Sequence, residues 1–288
     1  MKTLFVIGLG LIGSSVARGV RKEGLFKRSV GFDVDEGVAH AAVVATNVCD
    51  EIAPNIAQGA LQADLTLIAT PVGTLHCVLQ QIAPSMREMV NEERCVTDVG
   101  SVKVGLITAA IEVFGAMPGW LVPGHPLAGS EQSGLHAGSA DLFRERKVLL
   151  CPTSTTLPSA LQAVEHLWRG LGATIEHLNA TEHDRLLAMT SHLPHLLAFG
   201  LVDALLEVEP AATLFRYAGG GFRDVTRLAS SDPLMWRDIS LHNAQPLLAA
   251  LDHITAHLAR LREAVAHGDG DALLAAFVRA KQARDGEL

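Results

Sequence analysis

Thr3-Leu4-Phe5-Val6-Ile7-Gly8-Leu9-Gly10-Leu11-Ile12-Gly13 joins an apolar run to a glycine-spaced turn. Five consecutive strand-forming residues predict a buried strand over 3–7. Apolar spacing with Arg18, Arg21 and Lys22 on a polar face predicts a helix over 11–23. A G-x-G-x-x-G turn between strand and helix is a dinucleotide-binding pattern. Its first glycine makes the tight turn, the second lets a pyrophosphate approach, and the third lets helix pack on strand. Gly8, Gly10, Leu11, Ile12 and Gly13 are therefore the expected phosphate contacts, aided by the free N–H groups and positive dipole of the helix start. Asp33 follows Gly13 by 20 residues, at the end of a strand predicted over 29–32, where a carboxylate holds ribose hydroxyls. It repels a 2′-phosphate, and Val34 and Asp35 follow it rather than Arg, so the expected cofactor is NAD. The bland alternative is a glycine turn with a helix-capping Asp.

Outward from this stretch the alternation continues. Residues 38–45 and 75–86 carry helical spacing, and 65–69 and 95–98 are short apolar runs suited to buried strands. Short connections between such elements make βαβ units, with parallel strands and helices on both faces. Thr70, Pro71 and Asp98 then lie at the carboxyl edge of the sheet, where open α/β sheets bind ligands, and join the expected cofactor contacts. Strand-like runs over 147–151 and 174–177 flank a helical stretch over 157–172, which Gly170 and Gly172 close. Past Asn179 the strand signal stops. Residues 181–208, 233–262 and 271–284 are helical in period, punctuated by Pro210 and Gly219-Gly220-Gly221. The expectation is an α/β protein: a Rossmann-type parallel-sheet domain over 1–178, then an all-helical domain over 179–288. Helices apolar on more than one face pack on each other or on a second subunit.

Composition narrows the partners. The 288 residues are 49% hydrophobic and carry a net charge of −8 with no long basic run, which argues against nucleic acid or an anionic membrane surface. Cys49, Cys77, Cys95 and Cys151 stand alone, without C-x-x-C pairs, so a reducing cytoplasm is expected and no metal. Met1-Lys2 and the apolar residues up to Ala17 look superficially like a signal peptide. The three glycines and the downstream pattern assign them instead to a strand and turn. No run approaches the about 18 uninterrupted apolar residues of a membrane span.

Hydride transfer to NAD needs a donor and a base for the accompanying proton. Thirteen histidines compete for that role, so context selects. His125 lies in Gly124-His125-Pro126-Leu127-Ala128-Gly129-Ser130-Glu131, a segment without helical or strand period. Rigid glycine- and proline-rich loops often carry function, and imidazole suits a base near neutral pH, although an exposed loop histidine taken alone is usually inert. Ser101, in Asp98-Val99-Gly100-Ser101-Val102-Lys103, either caps the next helix or bonds a substrate hydroxyl. Ser191-His192-Leu193-Pro194-His195 interrupts a helix, since an internal proline removes a backbone bond and kinks it. Two histidines there are either packing residues or aimed into a cleft, and His183-Asp184 begins the same helix. Arg223 and Arg227, near Arg216 and Arg237, read equally as a grip on an anionic ligand or as a solvated face.

Together these motifs, with Ser230-Ser231-Asp232-Pro233-Leu234-Met235-Trp236, resemble the prephenate/arogenate dehydrogenase family of tyrosine biosynthesis, in family order over almost the whole chain. The resemblance implies an NAD-dependent oxidative decarboxylation of a cyclohexadienol. In it His125 takes the C4 hydroxyl proton while Ser101 bonds that hydroxyl. It further implies that Arg227 and His195 hold carboxylates of a dicarboxylate substrate, that His183, Glu131, Gly220 and Trp236 line the cleft, and that the helical domain makes a homodimer. Gln132 stands where a basic residue is common. With Leu288 as the last residue and the strand at the start, neither a C-terminal regulatory domain nor a fused chorismate mutase is expected, so inhibition by tyrosine would act at the active site.

Three rival readings predict different features. A 4-amino-4-deoxyprephenate dehydrogenase could use the same base. A reductase of imines or β-hydroxyacids would place a Lys or another polar pair where this chain has Ser191 to His195. A non-catalytic NAD sensor has no need of His125, His195 and Arg227 together.

Overall fold

β1 (Thr3–Ile7) is buried throughout, and its alternation sets the layers of the computed structural model, which describes residues 2–87, 94–129 and 132–287. Leu4 and Val6 enter one core with Val16, Ala17, Phe143 and Trp168. Phe5 and Ile7 enter the other with Ile56, Leu79, Ile82 and Leu106. A strand covered on both faces reads as a continuous apolar run, which is why this one was legible.

After β1 come α1 (Leu11–Glu23), β2 (Arg28–Phe32), α2 (Glu36–Val44), β3 (Glu51–Ile52), α3 (Ile56–Gln62), β4 (Leu65–Ile68), α4 (Leu75–Arg87), β5 (Cys95–Asp98), α5 (Val104–Phe114) and β6 (Leu121–Val122). Among the described residues the six strands are parallel in the order β3-β2-β1-β4-β5-β6, the dinucleotide-binding arrangement, with its switch point between β1 and β4. α2 starts two residues before the expected position because Asp35 caps it, accepting from Gly37 N and Val38 N. β3 and α3 gave no usable period; Asn55 starts α3 by accepting from Gln58 N.

The chain then leaves this sheet. β7 (Gly124–Pro126), β8 (Lys147–Leu150) and, after α6 (Pro158–Gly170), β9 (Thr174–His177) form a separate sheet, antiparallel between β7 and β8 and parallel between β8 and β9. His125 is thus a strand residue, not a loop residue as its sequence context implied. Its strand is three residues long and bounded by glycine and proline, so no alternation could show it.

α7 (Ala180–Leu187), a π turn over Ala188–His192, and α8 (Leu193–Leu206) follow without a break. The interruption expected at Pro194 lies before it: proline occupies the first turn of α8, where its missing N–H is tolerated, and the wide turn precedes it. Ala180–Leu206 is long and apolar enough to cross a bilayer by composition. It nevertheless carries His183, Asp184 and His192, all buried and hydrogen-bonded inside the protein, as suits an interior helix. α9 (Ala211–Arg216), α10 (Gly220–Thr226) and α11 (Pro233–His242) complete a compact unit, Met1–Asn243. Ala244–Leu288 is a second unit, in which α12 (Ala244–His267) and α13 (Gly270–Glu287) pack on each other.

Candidate active site

The turn after β1 is shaped for backbone approach. Gly8 has φ +92°, and a Cβ there would lie 2.6 Å from the Ala69 carbonyl oxygen. A Cβ on Gly13 would lie 1.9 Å from the Gly8 carbonyl oxygen, so helix and turn meet only because both lack side chains. Gly10 instead faces open space, leaving room beside the first N–H groups of α1, where Leu11 and Ile12 begin the helix. Asp33 is half-buried; its Oδ2 accepts Leu9 N–H at 2.8 Å and its Oδ1 accepts Asp35 N–H at 3.0 Å. The carboxylate therefore braces the glycine turn and keeps further lone pairs for hydroxyl donors. Thr70 and Pro71 follow β4 beside Gly8, where the Thr74 hydroxyl lies 2.8 Å from both Thr70 Oγ1 and the Pro71 carbonyl. This cradle fits a dinucleotide: a strained glycine, an open glycine and a carboxylate at one sheet edge.

Asp98, expected to touch the cofactor, turns its carboxylate inward. It is wholly buried and accepts from Gly100 N and Gly124 N, both at 2.9 Å, and from Lys103 Nζ. Lys103, also wholly buried, donates to the Gly124 carbonyl at 2.6 Å. A buried ion pair thus holds both polar groups of the residue preceding His125. Sequence reasoning missed Lys103, because a lone lysine is by default solvated.

Asp184 anchors the next layer. Its Oδ1 accepts Lys103 N–H at 2.8 Å and its Oδ2 accepts Val104 N–H at 2.9 Å. It thereby caps α5 from far along the chain, the capping role for which Ser101 was a candidate. The same Oδ1 lies 2.7 Å from His183 Nδ1. Carboxylate oxygens already taking backbone N–H groups offer only lone pairs, so His183 Nδ1 carries a hydrogen, and in the neutral ring Nε2 keeps its lone pair. His183 Nε2 faces His125 Nδ1 at 2.9 Å; opposite a neutral His183, His125 donates there and keeps its own Nε2 lone pair. Burial, the neighbouring His183, the Lys103 charge and His192 together hold the His125 pKa well below its usual 6.5. These surroundings favour the neutral His125 ring.

His195 Nδ1–H donates to the Ser191 carbonyl at 2.9 Å, and its ring stacks on Trp236 at 3.6 Å and 16°. Burial lowers the His195 pKa, partly offset by that backbone bond. His192 meets Trp236 edge-on at 6.1 Å. Ser101 is half-buried, and its hydroxyl makes no hydrogen bond among the described residues. Gly220 opens α10 and Arg227 follows its last turn; both are exposed, on elements packed against α8. Glu131 lies outside the described residues. The structure therefore gathers His125, His183, His195 and Trp236 with Asp184 and His192.

A glycine turn of the dinucleotide-binding kind and a buried histidine on a second, smaller sheet are features of a nicotinamide-dependent dehydrogenase. Similarity to known proteins narrows that class. Residues 16–177 match the prephenate dehydrogenase nucleotide-binding domain and residues 179–279 the prephenate dehydrogenase dimerization domain, and the chain belongs to this family. A cyclohexadienyl dehydrogenase from Zymomonas mobilis is 38% identical over 98% of this chain and 95% of its own. A prephenate dehydrogenase from Bacillus subtilis is 36% identical over 99% of this chain and 76% of its own. The solved prephenate dehydrogenase of Aquifex aeolicus, in complex with hydroxyphenyl propionate and NAD+, superposes with a TM-score of 0.89 at 32% identity, covering 99% of this chain and 98% of that one.

Proposed function

We propose that this chain oxidatively decarboxylates prephenate, arogenate or both, with NAD, yielding 4-hydroxyphenylpyruvate or tyrosine in tyrosine biosynthesis. The observation that carries this reading is the Asp184–His183–His125 chain, which, with His183 neutral, orients the buried His125 ring with its Nε2 lone pair free. NAD, when bound, supplies the hydride acceptor, and Gly8, Gly10, Leu11, Ile12, Gly13, Asp33, Thr70 and Pro71 are the residues we assign to hold it. His125 Nε2 takes the proton of the ring C4 hydroxyl as hydride leaves C4. The ring carboxylate then departs as CO₂, its bonding pair completing the aromatic ring. Ser101, with an uncommitted hydroxyl, positions the substrate hydroxyl. A pure NAD sensor would have no use for a buried base of defined tautomer.

Arg227 and His195 are assigned to the substrate carboxylates, with His183, Trp236, Gly220 and Glu131 around them. Arg227→Ala is expected to raise KM for prephenate by about ten- to a hundredfold, as loss of a charge-assisted contact does, with little change in NAD affinity. An unchanged KM in steady-state assays removes Arg227 from the carboxylate site. NADH production from prephenate, arogenate and the 4-amino analogue, side by side, tests the reaction itself; turnover of none of the three overturns it.

We also assign the nucleotide-binding part to 1–178 and the substrate-binding, dimer-forming part to 179–288. A homodimer is supported by the match to a dimerization domain and by exposed apolar side chains such as Leu206, Val208, Phe215 and Leu234. A cytoplasmic setting is supported by Cys49, Cys77, Cys95 and Cys151, all free thiols.

A further inference from the structure

His192 stands beside the proposed base yet has no part in the reading above. Its ring is wholly buried. Its Nδ1 lies 2.9 Å from Asn243 Nδ2, and that same nitrogen lies 2.9 Å from the Asp184 main-chain carbonyl. A carbonyl oxygen only accepts, so the Asn243 group facing it must be the NH₂. The second N–H of that group points at His192 Nδ1, which is therefore the acceptor. The single hydrogen of the neutral ring must then sit on Nε2. Neutrality agrees with burial, which lowers the His192 pKa to about 4.

That Nε2–H is buried and has no partner among the described residues; the same holds for the indole N–H of Trp236. Buried donors are nearly always paired in a working protein, so each of these calls for an acceptor. The His192 ring is tied through Asn243 to the His183–Asp184 pair on one side and meets the Trp236–His195 stack on the other. We infer that His192 is a substrate-binding residue, presenting a neutral Nε2–H donor, fixed by Asn243, to a carboxylate oxygen of the ligand in this cleft. A neutral donor serves this purpose over a wide pH range, unlike His195, whose Nδ1–H is spent on Ser191 and whose Nε2 donates only when the ring is protonated.

The inference rests on the cleft assigned above but not on which substrate turns over, so its test is a binding experiment. In NAD-loaded protein with ¹⁵N-labelled histidine, long-range ¹H–¹⁵N spectra report which nitrogen of each ring carries hydrogen. The His192 signals are assigned by their loss in His192→Gln. The expected result is hydrogen on Nε2, with a resonance that moves on adding 3-(4-hydroxyphenyl)propionate but not 4-ethylphenol, which lacks the carboxylate. Hydrogen on Nδ1 overturns the tautomer. A resonance that ignores a bound propionate, or moves equally with both ligands, overturns the carboxylate contact alone. Failure of the propionate to bind, read by equilibrium dialysis, sinks the cleft assignment with it. His192→Leu should weaken propionate binding about tenfold, while His192→Gln, whose amide NH₂ replaces the Nε2–H, restores it to within about threefold; NAD affinity should hold in both. Equal weakening by Leu and Gln would show a packing role only.

Discussion

Replacing His125 with Asn is expected to reduce turnover by about 10⁴-fold or more while NAD binding stays within about twofold. The Asn amide NH₂ takes the place of Nδ1 and can still donate to His183 Nε2, so the strand and its buried neighbours need not rearrange. Nothing in the variant replaces the Nε2 lone pair. Fluorescence titration with the cofactor separates the outcomes: lost turnover with normal binding supports the base, and loss of both reports misfolding. Wild-type kcat/KM should also keep its acid limb below pH 6.5, because burial and its neighbours depress the His125 pKa and the neutral ring is the reactive form. The same shifts have a stability consequence. The unfolded chain binds protons near pH 6.5, whereas folded His192 resists them down to about 4, so stability should fall as pH drops through that window.

Asp184→Asn is expected to lower kcat by about 10²–10⁴-fold, with KM for NAD little changed. An amide has one oxygen and one NH₂, but Asp184 serves three donors: Lys103 N, Val104 N and His183 Nδ1. If the NH₂ faces His183, Nδ1 becomes the acceptor and the hydrogen moves to Nε2. That hydrogen meets His125 Nδ1–H, and His125 must turn its lone pair inward and its hydrogen toward the substrate. If the NH₂ faces Val104 instead, His183 keeps its acceptor; in either orientation one of Lys103 N–H and Val104 N–H loses its acceptor, so α5 loses part of its cap and the melting temperature falls by roughly 2–4 °C for each kcal/mol lost. Kinetics distinguishes the two, and calorimetry reports the cap loss they share. Retention of kcat within tenfold in a stable variant would show that His183 and Asp184 do not set the tautomer of His125.

How far the sequence carried this reading depends on how local each signal was. β1, the glycine turn, α1 and Asp33 lie within one αβ unit, where period and spacing are written in consecutive residues. β7 could not be seen, because its identity comes from pairing with β8 and from the Asp98–Lys103 pair, both distant in sequence. Asp98 was placed at the right edge of the sheet, but the direction of its carboxylate depends on Lys103 being buried, which no local pattern encodes. The pair His183-Asp184 was visible as a helix start, whereas its grip on α5 appears only in three dimensions. Asn243 carried no signal at all: a polar residue between two helices is ordinarily a turn.

The π turn over Ala188–His192 has a bearing on inheritance. Twelve positions separate His183 from His195. At 100° per residue a regular α-helix would leave them about 120° apart in azimuth. A wider turn rotates less per residue and brings the two back toward a common bearing. Deleting one residue from that turn would swing His195 away from Trp236 by roughly a quarter-circle while every side chain of the proposed site remained encoded. Descent of this site therefore requires that the chain keep its length between two histidines, and a lineage could lose the activity through one missing codon without any change at its chemical residues.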